Sequence, residues 1–198
     1  MNNIFFQTDS LTLGYGNEIV INELELSLDK TKNYEIIGKN GAGKTTLLNF
    51  ISNNFDGNSF NSKYTKEELD ILEISYTPTL LPNLTLNENA IYFTSTKKID
   101  SEIIESSIEK YNLGSYKTDE LKNFSSGMIK RAELAIAEMK EPDILCIDEP
   151  LNYLDKQGIN HLQKLIDERV QNSKTNILSS QETSGLLKNK DTVNLDEI

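Results

Sequence analysis

The chain of 198 residues carries a formal charge of -11, with 20 Lys and Arg against 31 Asp and Glu. That length fits one domain or a core with one inserted lobe, and the acidic balance opposes sequence-independent binding to nucleic acid or to an anionic lipid surface, because phosphate contact needs clustered Lys and Arg. The single cysteine, Cys146, lies in the apolar run Ile144 to Ile147, which excludes a disulfide scaffold and reads as a buried thiol in a cytosolic protein.

From the N-terminus, Phe6 to Leu13 partly alternates, and Leu24, Leu26 and Leu28 alternate with Glu25 and Ser27. This is the period of half-exposed strands and predicts a small antiparallel sheet. An apolar stretch, Tyr34 to Ile37, then reads as a strand. It leads into Gly38-Lys39-Asn40-Gly41-Ala42-Gly43-Lys44-Thr45, followed by Thr46, which matches the phosphate-cradling pattern G-x-x-x-x-G-K-[ST]. Its glycines let successive backbone N–H groups turn toward phosphate oxygens, its Lys reaches the outer phosphates, and its Thr offers a hydroxyl to Mg2+. Thr45 to Ile51 continues as a helix, whose N-terminal dipole favours an anion.

Short apolar runs at Ile74 to Tyr76, Ile144 to Ile147 and Asn176 to Leu178 barely alternate, as expected of parallel strands covered on both faces. From about 82 to 140 the character changes to an inserted helical lobe. There Asp100 can cap a helix with Ile104, Ile108 and Tyr111 at helical spacing, and Gly114 can end it. A further helix is predicted over Ser126 to Lys140, before Pro142. Another runs over Gln157 to Val170, with Ile159, Leu162, Leu165 and Ile166 on one face. The sole histidine, His161, falls in that last helix and reads as a surface or packing residue. No apolar run approaches the roughly 20 residues that span a bilayer, and Met1 to Asp9 lacks the basic and apolar regions of a signal peptide.

Asp148-Glu149-Pro150 follows Ile144 to Ile147 directly, which puts two carboxylates at the C-terminal end of a buried strand, where open sheets of this type build their sites. By analogy with phosphate-loop ATPases, Asp148 would help hold Mg2+ and Glu149 would orient the attacking water. Taken alone, the pair also reads as two solvated carboxylates.

Upstream, Phe124-Ser125-Ser126-Gly127-Met128 opens a helix, and here the chain resembles the ATP-binding cassette (ABC) ATPase family, whose signature is LSGGQ. Ser125 and Gly127 keep two signature positions. The order of phosphate loop, helical lobe, signature, ILCIDEP and a D-loop-like Leu151-Asn152-Tyr153-Leu154-Asp155 extends the resemblance over essentially the whole chain. It implies an α/β fold: a P-loop NTPase core with a mainly parallel sheet, an N-terminal antiparallel β subdomain and an inserted α-helical subdomain, forming a single ABC-type domain over 1–198.

The same resemblance places Tyr15, in Leu13-Gly14-Tyr15-Gly16, where the family stacks an aromatic on adenine; from sequence alone it is also a strand-end tyrosine. Two positions depart from the family. Thr79, in a Q-loop-like Tyr76 to Pro82, stands for the glutamine, and Gln181, after Leu178-Ser179-Ser180, stands for the switch histidine. An amide donates a hydrogen bond but carries no charge, so phosphoryl stabilisation should be weaker. The family further implies ATP and Mg2+ as ligands, and Ser125 with Gly127 facing the ATP of a second cassette in a homodimer or heterodimer. It implies a separate membrane permease as partner, with membrane association at the cytoplasmic face only through that permease. Leu80, Leu81, Leu84 and Leu86 either line the permease-docking segment or pack inside the lobe. Three readings of function stand: an active transport ATPase, a low-turnover regulatory subunit, and a soluble cassette without a permease.

Overall fold

The computed structural model describes residues 3–60, 62–75, 78–97 and 99–197. It divides into two compact units. The first joins Met1–Ser75, Asp143–Pro150 and Arg169–Ile198, and the second joins Tyr76–Pro142 with Leu151–Glu168.

In the first unit, β1 (Ile4–Tyr15) and β2 (Glu18–Asp29) form a long antiparallel hairpin, paired from Ile4 with Asp29 to Tyr15 with Glu18. The alternation seen in the sequence therefore marks only part of two longer strands. β3 (Tyr34–Ile37) follows the hairpin and gives way to α1 (Lys44–Ser52). Next, β4 (Asn58–Ser59) and β5 (Lys63–Lys66) both add antiparallel to β1. The remaining strands are β6 (Ile71–Ile74), β7 (Ile144–Asp148), β8 (Thr175–Ser180) and β9 (Asp191–Asn194). With β3 they make a second sheet in the order β6-β7-β8-β3-β9, every pair parallel.

All residues of β7 and β8 are buried, which is why their sequences show no alternation. Leu47, Leu48 and Ile51 of α1 join Phe5, Leu11, Ile36, Ile144, Cys146 and Ile177 in one apolar core. Cys146 is fully buried as a free thiol, and burial raises its pKa far above the ordinary thiol value, the setting of a structural cysteine.

β6 lies three residues before the apolar run that suggested it. The strand ends at Ile74, and Tyr76 is outside the described residues. The cause is Glu73, whose charge hides the strand in the sequence. It is buried and is satisfied by Ser52 Oγ and by Asn54 Nδ2 at 2.9 Å. β9 has no signal in the sequence, because its polar DTVN carries no strand period.

The second unit is helical. It holds α2 (Leu86–Thr94), α3 (Ser101–Lys110), α4 (Ser126–Lys140) and α5 (Lys156–Gln171) through Glu168, and α2 and α3 pack on α4 and on each other. Ile104, Ile108 and Tyr111 are buried as their spacing predicts. Asp100 stands at the start of α3 but makes no side-chain cap, and the helix ends at Lys110 before Asn112, which has φ 58°. Gly114 instead opens a short 3-10 turn.

α2 is a helix that periodicity did not show, although Thr85-Leu86-Asn87-Glu88 is a capping box. Glu88 N donates to Thr85 Oγ1 at 3.1 Å and Thr85 N donates to Glu88 Oε2 at 2.8 Å. The leucine question divides: Leu80 and Leu86 are buried inside the unit, Leu84 is half-buried and Leu81 is exposed. His161 packs its ring edge-on against buried Tyr111, with centroids 5.0 Å apart.

Candidate nucleotide site

The phosphate loop joins the C-terminal end of β3 to α1. Gly41 and Gly43 have φ 87° and 95°, the left-handed region that favours glycine. At Gly43 space matters as well, because a Cβ there would lie 2.8 Å from Ile21 Cγ1 in β2. Leu47 N donates to Gly43 O at 2.8 Å, so the helix grows directly out of the loop. Lys44 is only 6% exposed and folds its ammonium back over the loop, donating to Gly38 O at 2.8 Å and Lys39 O at 3.1 Å. Lys39 and Asn40 are exposed, Ala42 is half-buried, Thr45 is exposed and Thr46 is buried.

Parallel pairing brings the carboxylates to this loop. Asp148 ends β7 beside Ser179 of β8, and β8 in turn lies beside β3, with Ser180 opposite Ile37. Thr45 Oγ1 donates to Asp148 Oδ2 at 2.6 Å, and Ser179 Oγ donates to Asp148 Oδ1 at 2.5 Å. The carboxylate is thus held from both sides. Thr45 and Asp148 together are hard oxygen donors of the kind Mg2+ takes, so the residues present fit that ion. Among the described residues no cluster of three or more His, Cys, Asp or Glu offers an all-protein metal site; one or two protein ligands beside a phosphate is the usual Mg2+ arrangement.

Glu149 follows with φ 48°, uncommon for a residue other than glycine, and its N–H donates to Ser179 O at 2.8 Å. Burial pushes its carboxyl above the ordinary glutamate value, with Lys44 opposing and Asp148 reinforcing the rise. A carboxylate held in this way is a stronger proton acceptor near neutral pH. Gln181 comes directly after β8, exposed, on the same edge of the sheet as the loop and Glu149.

Two supports escaped the sequence. Ser179 is one; its hydroxyl two residues before Gln181 was a visible signal. The other is Asp196, which accepts from Lys39 N at 3.0 Å and tethers the loop from beyond β9. No local pattern announces Asp196, because only the pairing of β3 with β9 brings it there.

Tyr15 closes β1 and is 41% exposed. Ser125 and Gly127 belong to the other compact unit. There Ser125 is the N-cap of α4, its Oγ accepting from Met128 N at 3.3 Å. A Cβ on Gly127 would meet Tyr153 O at 3.0 Å, so α4 and the 151–155 segment approach closely within that unit. Tyr153 is exposed with φ 65°, and Asp155 Oδ1 accepts from Gly158 N at 2.7 Å at the start of α5. Thr79 is half-buried in the same unit.

A sequence profile described as ABC transporter matches residues 21–152, more than half of the chain and every motif from the phosphate loop to Asp148-Glu149-Pro150. The chain belongs to the ABC transporter ATP-binding family. It is an ATP-binding subunit of that family, and its enzymatic class is ATPase. A lantibiotic transport ATP-binding protein of Streptococcus pyogenes is 29% identical over 180 residues, covering 86% of this chain and 77% of its own. A bacitracin transport ATP-binding protein of Enterococcus faecalis is 32% identical over 185 residues, covering 88% of this chain and 60% of its own. Among solved structures, an ATP-binding subunit of an ABC transporter matches with a TM-score of 0.76 at 22% identity, covering 89% of this chain and 79% of that one. A bacterial Atm1-family ABC exporter with ATP bound matches with a TM-score of 0.81 at 16% identity, over all of this chain and 38% of that one. These structures share the ABC ATPase fold: an antiparallel N-terminal sheet, a parallel core sheet and a helical part. Among the described residues no helix is long and apolar enough to cross a membrane.

Proposed function

We propose that this ABC subunit couples ATP-driven closure of a two-cassette dimer, and the hydrolysis that reopens it, to a separate membrane permease at the cytoplasmic face. The observation that carries the reading is the convergence of Lys44, Thr45, Asp148 and Glu149 on one sheet edge, with Asp148 clamped between two hydroxyls. In this reading Tyr15 stacks on adenine and the amides of Gly38 to Thr46 cradle the phosphates. Lys44 neutralises the outer phosphates. Thr45 and Asp148 hold Mg2+, which when bound offsets charge on the transferring phosphoryl group. Glu149 orients the attacking water and takes its proton. Ser125 and Gly127 act on the ATP of the opposite cassette, where the α4 N-terminus adds donors and dipole. The relatives named for lantibiotic and bacitracin transport favour an antimicrobial peptide as cargo.

Tagged protein recovered from detergent-extracted membranes of its own cells should bring down a polytopic membrane protein in stoichiometric amount. Recovery alone, with full ATPase activity, would instead assign it to the soluble cassettes.

A second reading, a low-turnover regulatory subunit in a heterodimer, is favoured by Gln181 and Thr79. If Gln181 faces the γ-phosphate, Gln181→His is expected to raise turnover about tenfold, since a charged donor makes a hydrogen bond roughly twice as strong and about 1.4 kcal/mol is a factor of ten. The gain should be larger at pH 6 than at pH 8, because the imidazole charges as pH falls. Unchanged steady-state phosphate release at both pH values removes Gln181 from the reaction.

A further inference from the structure

Tyr15 does not stand alone. The ring of Phe55 meets it in an edge-on contact, with centroids 5.4 Å apart and planes at 64°. Phe55 in turn meets Phe50 of α1 at 5.7 Å and 73°. Phe50 then packs edge-on against Phe6 of β1 at 6.1 Å and Tyr64 of β5 at 5.0 Å. A continuous line of rings therefore runs from the exposed Tyr15 to the helix that begins at the phosphate loop.

The backbone around Phe55 holds this line in place. α1 is capped at its C-terminal end by Asn53, which has φ 66°, and Asn54 N donates to Asn49 O at 2.9 Å. Gly57 makes room for the ring, since a Cβ there would fall 2.4 Å from Phe55 Cζ and 2.4 Å from Gly14 O. Asn58 pairs with Gly14 in the β1–β4 ladder and its Nδ2 donates to Gly16 O at 3.1 Å. Tyr15 is thus restrained through the residue on either side and through its ring.

We propose that Phe55 is a positioning residue for nucleotide binding, holding Tyr15 as a preorganised platform for a purine base. A platform already fixed loses little side-chain freedom when a base stacks on it. Because Phe50 sits on α1, the same ring line ties the base platform to the phosphate loop, so the two ends of a nucleotide meet one rigid support. The inference rests on the reading of Tyr15 as the adenine-stacking residue.

Equilibrium binding of ATP and of inorganic tripolyphosphate separates the base from the phosphates. Phe55→Ala is expected to weaken ATP three- to tenfold, by analogy with the free energy of an aromatic edge contact, and to leave tripolyphosphate unchanged. Phe55→Leu keeps apolar volume and should show the same selective loss at a near wild-type melting temperature. Equal losses for both ligands, or none in the leucine variant, overturn the proposal. Tyr15→Ala serves as the reference: if it leaves the ratio of the two affinities unchanged, the platform itself is wrong, whereas a selective loss there without one in Phe55→Leu removes only the role of Phe55.

Discussion

Glu149→Gln is expected to cut phosphate release from Mg-ATP by about 10²- to 10⁴-fold, the usual worth of a general base, while ATP binding stays near wild type. The amide keeps the size of the side chain but cannot accept the proton of an attacking water. Lys44, Thr45 and Asp148, to which the proposed function gives the phosphates and the metal, are untouched, so binding and hydrolysis should part. The pH profile sharpens the test. In the role proposed for it Glu149 must be ionised, and burial raises its carboxyl above the ordinary value of 4.5 against the pull of Lys44, with Asp148 adding to the rise. The acid limb of the wild-type rate should therefore fall at a pH above that value, and the residual rate of the variant should lack this limb. With turnover blocked, ATP should also hold two cassettes together, which native mass measurement reads as a doubling for a homodimer. Unchanged phosphate release in the variant would sink the role given to Glu149.

The parts of this site that could be read in the sequence are those whose chemistry and structure occupy the same short segment. Gly38 to Thr45 carries its own turn residues, and Ile144 to Glu149 shows a buried strand ending in carboxylates; both lie as their patterns predict. Ser126 to Lys140 likewise carries a capping serine before it and a proline after it. What escaped depends on partners far along the chain. Glu73 breaks an apolar run and reads as exposed, yet β6 is inside because Ser52 and Asn54, some twenty residues earlier, satisfy the carboxylate. Asp196 reaches the phosphate loop only because β9 pairs with β3. Phe6, Phe50, Phe55 and Tyr64 are scattered along the sequence, and only the β1–β5 pairing together with the placement of α1 lines them up behind Tyr15. α2 is different, since its capping box is written in four consecutive residues.

A buried ion pair on α4, the helix that Ser125 caps, predicts a large stability effect. Lys130 and Glu133 lie one turn apart on α4, 3.2 Å between charged atoms, with side chains only 10% and 1% exposed. A charge taken this far from water is tolerated when paired and costly when its partner is removed. Lys130→Met should therefore destabilise the protein by about 3–5 kcal/mol, a fall in melting temperature of roughly 10 °C for a chain of this size. The loss should depend on pH in a definite sense. Burial first raises the Glu133 carboxyl in the folded state above its unfolded value of 4.5, and Lys130 opposes the rise. Without Lys130 the folded pKa climbs further. A group with a raised folded pKa contributes stability below its unfolded value and loses it as pH rises through the folded one, so Lys130→Met should approach wild type near pH 4.5 and show its full deficit at pH 8. The double variant Lys130→Met with Glu133→Leu removes both charges and should recover most of the loss, since a buried pair replaced by apolar side chains is often neutral or better. Urea midpoints of the three proteins at the two pH values measure this directly. Equal destabilisation in the single and double variants, with no dependence on pH, would mean that the methylenes of Lys130, and not its charge, hold α4 in place.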